Sequence, residues 1–449
     1  MLFRKIESYI LDYLKTPSNK VLTIDGARQI GKSFIIRHAC QQLYKNYIEI
    51  NFAEDKVGQR LFANVGTVED FYLQLSSFAG DKMGDKSDTI IFLDEVQEYP
   101  QLLTLFKFLK ADDRFNYIAS GSLLGVTLGK TSSIPMGSIE IKQMYPLDFE
   151  EFLIANGVGA MAIGAIQDAF KARKSLDESL HNKVMDLFRK YLLVGGLPDA
   201  VNTFLATKNI VKVRAVQNDI HDLYGADATK YDTENRLKIR RIYDMLPSNM
   251  ENKKKRVVVK DIEGKKGKRF SDYEDEFDYL INAGVALEVR AISTPIFPLI
   301  ESSGKNLLKL YLNDVGLLTN ILYRNNIQAI MEDRCSVNLG SVYECVVASE
   351  LKAHGHNLFY YDNKSKGEVD YLIDDYDALS VAPIEVKSGK DYTIHSALNQ
   401  FVTNEDYHIN CGYVLSNERE VKIVDKIIYM PIYYVMFFRD SQPEQIILD

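Results

Sequence analysis

A glycine-rich segment that ends in a lysine and a serine is the first part of the chain that could do chemistry. Residues 26–33 match the pattern G-x-x-x-x-G-K-[ST] completely. In this pattern backbone N–H groups cradle phosphate oxygens, the lysine places its charge on the β- and γ-phosphates, and the hydroxyl ligates Mg²⁺. The segment therefore predicts a site for ATP and Mg²⁺, formed by Gly26, Ala27, Arg28, Gln29, Ile30, Gly31, Lys32 and Ser33.

Two adjacent carboxylates, Asp94 and Glu95, follow the apolar run 89–93. A strand that is buried on both faces has this composition, and carboxylates at its carboxyl end face the ligand crevice of a parallel sheet. We expect Asp94 to hold Mg²⁺, directly or through water. We expect Glu95 to be the general base that polarises the attacking water.

Serine hydroxyls follow another apolar run, 116–119. Ser120 is the first candidate for a sensor of the γ-phosphate and Ser122 the second, because a strand beside the Asp94 strand would end near the phosphate. An ordinary Ser-Gly turn explains these residues equally well.

Short β-branched segments that alternate with helical patterns must position these groups. The predicted strands are 21–24, 47–51, 89–93 and 116–119, and helices such as 32–43 and 102–110 lie between them. This alternation predicts an α/β fold in which helices cover both faces of a parallel sheet.

Composition excludes several classes of protein. The chain has 449 residues, which suggests two to four domains, and it has no apolar run near the roughly 20 residues that span a bilayer. Its four cysteines are scattered without metal-ligand spacing and its start does not read as a signal peptide. We therefore expect a cytoplasmic protein without membrane contact or a zinc site.

Several motifs together resemble a known family. The segments 24–33, 92–97, 119–124 and 193–198, in this order, are similar to the AAA+-type bacterial and archaeal P-loop ATPases, as are 310–317, 368–370 and 384–389. The resemblance covers nearly the whole chain. It implies an ATPase domain and a C-terminal domain of unknown function with a restriction-endonuclease-like, PD-(D/E)xK fold. Such ATPases often take an arginine from a neighbouring subunit, for which Arg114 and Arg173 are candidates, so a homo-oligomer is also expected.

The C-terminal carboxylates fit the D-x(n)-E-x-K pattern of such nucleases. Asp370 is followed by Glu385 and Lys387, and the last two point to one face because side chains alternate along a strand. The two carboxylates, with Glu344 from the preceding helix, would hold Mg²⁺ beside Lys387. The alternative is a strand that only exposes its charges at a sheet edge.

The predicted domains are an ATPase domain at 1–204 with a helical lid at about 145–204, a winged-helix-like domain at 205–325 and a nuclease-like domain at 326–449. The winged helix is expected because helices, including one at 273–282, are followed by a β-hairpin with a strand at 285–292.

A basic segment falls within the middle region although the net charge is −8. Residues 253–269 hold nine Lys or Arg against Asp261 and Glu263. Lysine and arginine contacts to phosphates supply non-specific DNA affinity, so Lys253–Arg269 and the C-terminal domain are the candidate DNA contacts. A charged interdomain surface and a solvated hairpin are the alternatives.

These residues leave three functions open. The first is a Mg²⁺-dependent ATPase that acts on DNA or is regulated by it. The second is an ATP-dependent conformational switch that controls a protein partner without DNA cleavage. The third is a Mg²⁺-dependent DNA nuclease that ATP binding gates.

Overall fold

A computed structural model describes residues 1–122, 137–227, 236–252, 255–264, 267–302, 304–332, 339–389, 392–393 and 395–439. The chain divides into two compact units. The first contains Phe3–Tyr145 and Asn282–Val285, and the second contains Pro146–Ile281 and Ala286–Asp449.

The first unit is built on a parallel sheet of five strands. These are β1 (Val21–Asp25), β2 (Asn46–Asn51), β3 (Thr89–Asp94), β4 (Asn116–Gly121) and β5 (Ile139–Gln143). Their order in the sheet is β2-β3-β4-β1-β5. All residues of β1 and β3 are buried, as expected for strands covered on both faces. The predicted α/β parallel sheet is thus confirmed.

One helix precedes β1, and four further helices lie in the connections from β1 to β4, as parallel pairing requires. Their bounds are Lys5–Lys15, Lys32–Leu43, Phe52–Val57, Val68–Ala79 and Gln101–Asp112. Aliphatic and aromatic side chains of the sheet and the helices form one buried cluster that includes Ile91, Leu93, Phe71 and Phe106. This cluster fixes the strands whose carboxyl ends carry the polar groups.

The second unit contains a mixed sheet of eight strands. These are β6 (Ala286–Ile292), β7 (Gly304–Leu312), β8 (Phe359–Asn363), β9 (Gly367–Asp375), β10 (Ser380–Val386), β11 (Gly412–Ser416), β12 (Lys422–Val424) and β13 (Ile427–Pro431). Their order is β12-β13-β11-β10-β9-β8-β6-β7.

Helices precede and interrupt this second sheet. The longer ones are Phe149–Ala155, Ala160–Lys171, Glu178–Val194, Pro198–Thr207, Ile210–Asp227, Arg236–Glu251, Glu274–Asn282, Val315–Tyr323, Gly340–Ala353 and Ser396–Val402, and two short ones are Val259–Glu263 and Gln328–Met331. Within the described ranges, none of the helices has both the length and the apolar character needed to cross a membrane.

The predicted domain limits differ from this division. The first compact unit ends at Tyr145, whereas the predicted lid at 145–204 was assigned to the ATPase domain. The strands β6 and β7 form the hairpin expected of a winged helix, but β6 also pairs with β8, so the sheet continues across residue 325. The winged-helix and nuclease-like domains therefore stay predictions.

Candidate functional site

The glycine-rich loop connects β1 to the helix Lys32–Leu43, and its backbone requires glycine at both flanks. Gly26 has φ 148°, and a Cβ there would lie 2.3 Å from the carbonyl oxygen of Met144. Gly31 has φ 89° and directly precedes the helix. These conformations disfavour side chains, so the two glycines shape a loop whose N–H groups lie at the positive end of the helix dipole.

The Lys32 side chain lies back along this loop. It is buried, and its Nζ donates to the carbonyl oxygens of Gly26 at 2.9 Å and Ala27 at 2.8 Å. Burial lowers the pKa of Lys32, and the negative charges of Glu95, Asp25 and Asp94 oppose that shift. An ammonium group is thus held at the mouth of the loop, where phosphate oxygens would replace the carbonyl contacts.

Asp94 receives hydrogen bonds from the ends of two neighbouring strands and from the helix Lys32–Leu43. Ser33 Oγ donates to both Asp94 carboxylate oxygens at 3.0 Å. Ser120 Oγ donates to Oδ1, and Asn51 Nδ2 donates to Oδ2 at 3.2 Å. Burial raises the pKa of Asp94, the Ser120 hydrogen bond lowers it, and the nearby Glu95 raises it further.

Ser33 and Asp94 fit a Mg²⁺ ion. A hydroxyl and a carboxylate are oxygen ligands of the kind that Mg²⁺ prefers, and a protein site usually supplies only one or two of them. The structure brings these two predicted residues into contact across 61 positions of sequence.

Glu95 leaves the strand in an unusual conformation. Its φ of 55° and ψ of 48° are left-handed, which is uncommon for a residue with a side chain. Gln97 Nε2 donates to its carboxylate. Glu95 therefore lies next to Asp94 but is held by a different partner, so the candidate metal ligand and the candidate base have separate contacts.

The sequence assigned no role to three further residues of this region. Asn51 ends β2 and contacts Asp94. Gln97 contacts Glu95. Arg4 donates to the carbonyl oxygen of Ile30 at 3.1 Å and to that of Tyr145 at 2.6 Å, so it anchors the loop from outside. The signal that could have found Asn51 is its place at a strand end, because all parallel strands end at the same edge of the sheet.

The C-terminal carboxylates also come together. Glu344 lies on the helix Gly340–Ala353, and Asp370 Oδ2 accepts the N–H of Val386 at 2.9 Å. Lys387 Nζ pairs with Glu385 at 2.7 Å. Loss of solvation and then the charges of Glu385 and Glu344 raise the pKa of Asp370 well above its ordinary value.

Lysines neutralise this group of carboxylates. Lys255 Nζ pairs with Glu344, and Tyr311 donates to the other Glu344 oxygen at 2.8 Å. The fully buried Lys309 pairs with Glu368 at 2.6 Å. Burial alone would raise the pKa of Glu344, but the charges of Lys255 and Lys309 outweigh it and lower that pKa.

Ion pairs with lysines occupy two of these carboxylates, Glu344 and Glu385. The part of the chain that the structure describes contains no group of three or more His, Cys, Asp and Glu side chains that could hold one. Ammonium groups balance the negative charge instead. The metal role of Glu344, Asp370, Glu385 and Lys387 therefore stays a prediction.

The basic segment 253–269 is used in part within the second unit. Besides the Lys255 pair, Arg256 pairs with Asp362 at 2.6 Å and with Glu368 at 3.4 Å. Lys260, Lys268 and Arg269 are exposed. The remaining basic residues, Lys253, Lys254, Lys265 and Lys266, lie outside the described residues.

The structure describes the surroundings of Arg114 and the backbone of Arg173, the two arginine candidates. Arg114 pairs with Asp112 at 2.9 Å and lies 4.3 Å from the ring centroid of Tyr72. Arg173 has a left-handed backbone, with φ 51°, two residues after the helix Ala160–Lys171. Neither observation assigns an arginine to the site of a neighbouring subunit, so that role and the homo-oligomer stay predictions.

The turn Gly195–Pro198 is bound by an aspartate from another motif. Asp314 Oδ2 accepts the N–H of Gly196 at 2.7 Å, and the Gly196 carbonyl accepts the N–H of Leu147 at 2.7 Å. A Cβ on Gly196 would lie 2.1 Å from the carbonyl oxygen of Leu147. The two motifs that resemble one family thus contact each other within the second unit.

Three family models match separate parts of the chain. Residues 18–153 match an AAA domain, residues 185–328 a domain of unknown function (DUF8612) and residues 339–435 another domain of unknown function (DUF4143). A comparison with curated proteins gave no significant match.

Solved structures of ATPases are similar only at low scores. A Walker-type ATPase of Pyrococcus abyssi is 15% identical, with a TM-score of 0.41 over 71% of this chain and 95% of that one. The RuvB Holliday junction branch migration motor of Thermotoga maritima is 14% identical, with a TM-score of 0.29 over 64% of this chain and 89% of that one. The assignment therefore depends on the family model and the loop geometry: residues 18–153 form an AAA-type P-loop ATPase domain.

Proposed function

We propose that the protein binds ATP with Mg²⁺ and hydrolyses it at the first unit. The observation that carries this proposal is the contact of Ser33 with both oxygens of the buried Asp94, beside Lys32 and Glu95. Phosphoryl transfer needs mainly positioning and charge stabilisation, and this arrangement supplies both.

Each residue has a distinct task in this proposal. The loop N–H groups and the Lys32 ammonium bind and orient the phosphates. Ser33 and Asp94 would hold Mg²⁺, which supplies positive charge to the phosphate oxygens when it is bound. The Glu95 carboxylate accepts a proton from the attacking water, and the Ser120 hydroxyl fixes Asp94 from the neighbouring strand.

Phosphate release with purified protein tests this function. Lys32→Ala should abolish Mg²⁺-dependent ATP binding, and Glu95→Gln should keep binding while lowering turnover by roughly 100-fold or more. The exposed residues Lys107 and Glu69 offer matched controls, because Lys107→Ala and Glu69→Gln make the same chemical changes in the same unit. Wild-type protein without Mg²⁺-dependent affinity for adenine nucleotides would contradict the proposal.

We further propose that DNA regulates this turnover. The exposed Lys260, Lys268 and Arg269 support the proposal, because exposed cations release counterions from DNA phosphates when they bind. DNA should then stimulate phosphate release, and the affinity for DNA should fall steeply between 50 and 200 mM salt. Reversing the three charges to Glu should remove this response, whereas Lys183→Glu, at another exposed position, should keep it.

A conformational switch for a protein partner is the second candidate. The ion pairs of Lys255 and Arg256 favour it, because they use cations of the basic segment inside the protein. A rate of ATP turnover that no form of DNA changes, together with no salt-sensitive DNA binding, would support this switch over the DNA-regulated ATPase.

Nuclease activity has a separate test. Plasmid nicking with Mg²⁺ or Mn²⁺ that survives Glu95→Gln but is lost in Asp370→Ala and Lys387→Ala would support a metal-dependent nuclease. The lysine pairs at Glu344 and Glu368 lead us to expect no nicking.

A further inference from the structure

The buried side chain of Gln97 connects two parts of the nucleotide site. Gln97 lies in the short turn Val96–Glu98 that follows Glu95, and only 4% of its surface is exposed. Its Nε2 donates to the Glu95 carboxylate and, at 3.2 Å, to Ser122 Oγ. Its Oε1 accepts the N–H of Ser122 at 3.2 Å. One amide group thus joins the candidate base to the end of β4.

These contacts determine the direction of the Glu95 carboxylate. The left-handed backbone of Glu95 takes its side chain out of the alternation of β3, so the strand itself does not aim it. Among the described contacts, the side-chain hydrogen bond to the Glu95 carboxylate comes from the Gln97 amide. A general base must approach the proton that it accepts to about 2.6–3.2 Å, so its direction matters for turnover.

A parallel contact holds the neighbouring carboxylate. Ser120 Oγ donates directly to Asp94, and Ser122 is connected to Glu95 through Gln97. Both carboxylates at the end of β3 are therefore held from the end of β4. The contacts differ in that one is direct and the other needs Gln97 as an intermediate.

We propose that Gln97 is a positioning residue for ATP hydrolysis. It orients the Glu95 carboxylate and links that orientation to Ser122. The inference rests on the proposed hydrolysis at this site. Gln97 has no contact with the loop 26–33 among the described hydrogen bonds, so the inference assigns it to turnover and not to nucleotide binding.

Turnover and affinity measured on the same variants test this role. Gln97→Ala should lower kcat by roughly 10-fold or more while the dissociation constant for ATP with Mg²⁺ stays within about 2-fold, because an aimed base acts in the transition state. Gln97→Glu should also lower kcat, since a second carboxylate cannot donate to Glu95. Gln101→Ala, which removes an exposed amide four positions on, is the matched control and should keep wild-type kcat.

Coupling to Ser122 has its own measurement. In a Gln97→Ala background, Ser122→Ala should cause little further loss of kcat, because both residues act through one contact. Fully additive losses would show that Ser122 acts independently and would overturn the coupling.

Hydrogen exchange at the Ser122 amide separates this inference from the proposed function. Gln97→Ala removes the acceptor of that N–H, so the amide should exchange faster, whether or not the protein hydrolyses ATP. Wild-type protein that binds ATP without hydrolysing it would end the proposed function, and with it the role of Gln97 in turnover. Any of three results would overturn the positioning role. These are a wild-type kcat in Gln97→Ala, a parallel loss of kcat and affinity, and unchanged exchange at Ser122.

Discussion

Individual residues of the glycine-rich loop can be named from the sequence, because the pattern that marks them is local. Two glycines, a lysine and a serine at fixed spacing suffice to indicate the loop. Gln97, Asn51 and Arg4 could not be assigned in this way, since their roles arise from contacts with other strands and loops. The sequence shows that they are polar, but only the fold shows what they touch.

At this scale, Gly26→Ala should destabilise the first unit. The new Cβ would meet the Met144 carbonyl at 2.3 Å in a backbone with φ 148°, so the loop must move. We expect a loss of about 2–4 kcal/mol in the free energy of unfolding, measured by urea denaturation. Gly66→Ala is the matched control, because a Cβ at Gly66 has no neighbour within 4 Å. Equal stability of the two variants would contradict this reasoning.

Ser33→Ala tests the metal ligand at the same scale. The variant removes the hydroxyl that contacts Asp94 but leaves the loop backbone and Lys32 in place. The affinity for ATP should fall roughly tenfold in the presence of Mg²⁺, which corresponds to about 1.4 kcal/mol. Calorimetric titration with and without Mg²⁺ measures the difference. An equal fall under both conditions would assign Ser33 to the loop and not to the metal.

At the scale of elements, strand and helix patterns predicted most segments near their observed bounds. The helix 32–43 and the buried strand β3 agree closely because their sequence patterns are local. The pairing of β6 with β8 could not be predicted, since a strand pattern does not reveal its neighbour in a sheet. For the same reason the sheet that joins the middle and C-terminal regions was not expected.

Asp314 gives a pH-dependent prediction for the second unit. It begins the helix Val315–Tyr323 and accepts the N–H of Gly196, and burial raises its pKa from 3.8 to about 6 although backbone hydrogen bonds oppose the shift. The folded protein therefore holds this proton more tightly than the unfolded chain does. The contribution of the Asp314 carboxyl to the stability of the folded protein is fully present below about pH 4, and it is lost as the pH rises through about 6.

Comparison with Asp314→Asn isolates this contribution, because the asparagine does not titrate. The stability of the wild type relative to the variant should fall by up to about 3 kcal/mol between pH 4 and pH 7. Urea denaturation across this range provides the measurement. A difference that is constant with pH would show that the Asp314 pKa is not raised.

On the scale of the whole molecule, the chain has two compact units, and the residues of the proposed nucleotide site belong to the first. A ligand stabilises the unit that binds it, by about 2.7 kcal/mol at one hundred times its dissociation constant. We therefore expect ATP with Mg²⁺ to slow hydrogen exchange in 3–145 much more than in 286–439. Lys32→Ala should remove the effect. Equal protection of both units would show that they unfold together.

The strand order of the first unit has a consequence for how such sites are recognised. The strand β4 separates β1, which leads to the phosphate loop, from β3, which ends in the acidic pair. Inserting one residue in β4 would turn Ser120 to the opposite face of the sheet, although both nucleotide motifs would remain intact. A chain can therefore keep both sequence motifs and still lose the arrangement of the site. The register of β4, which neither motif contains, determines whether Ser120 faces Asp94.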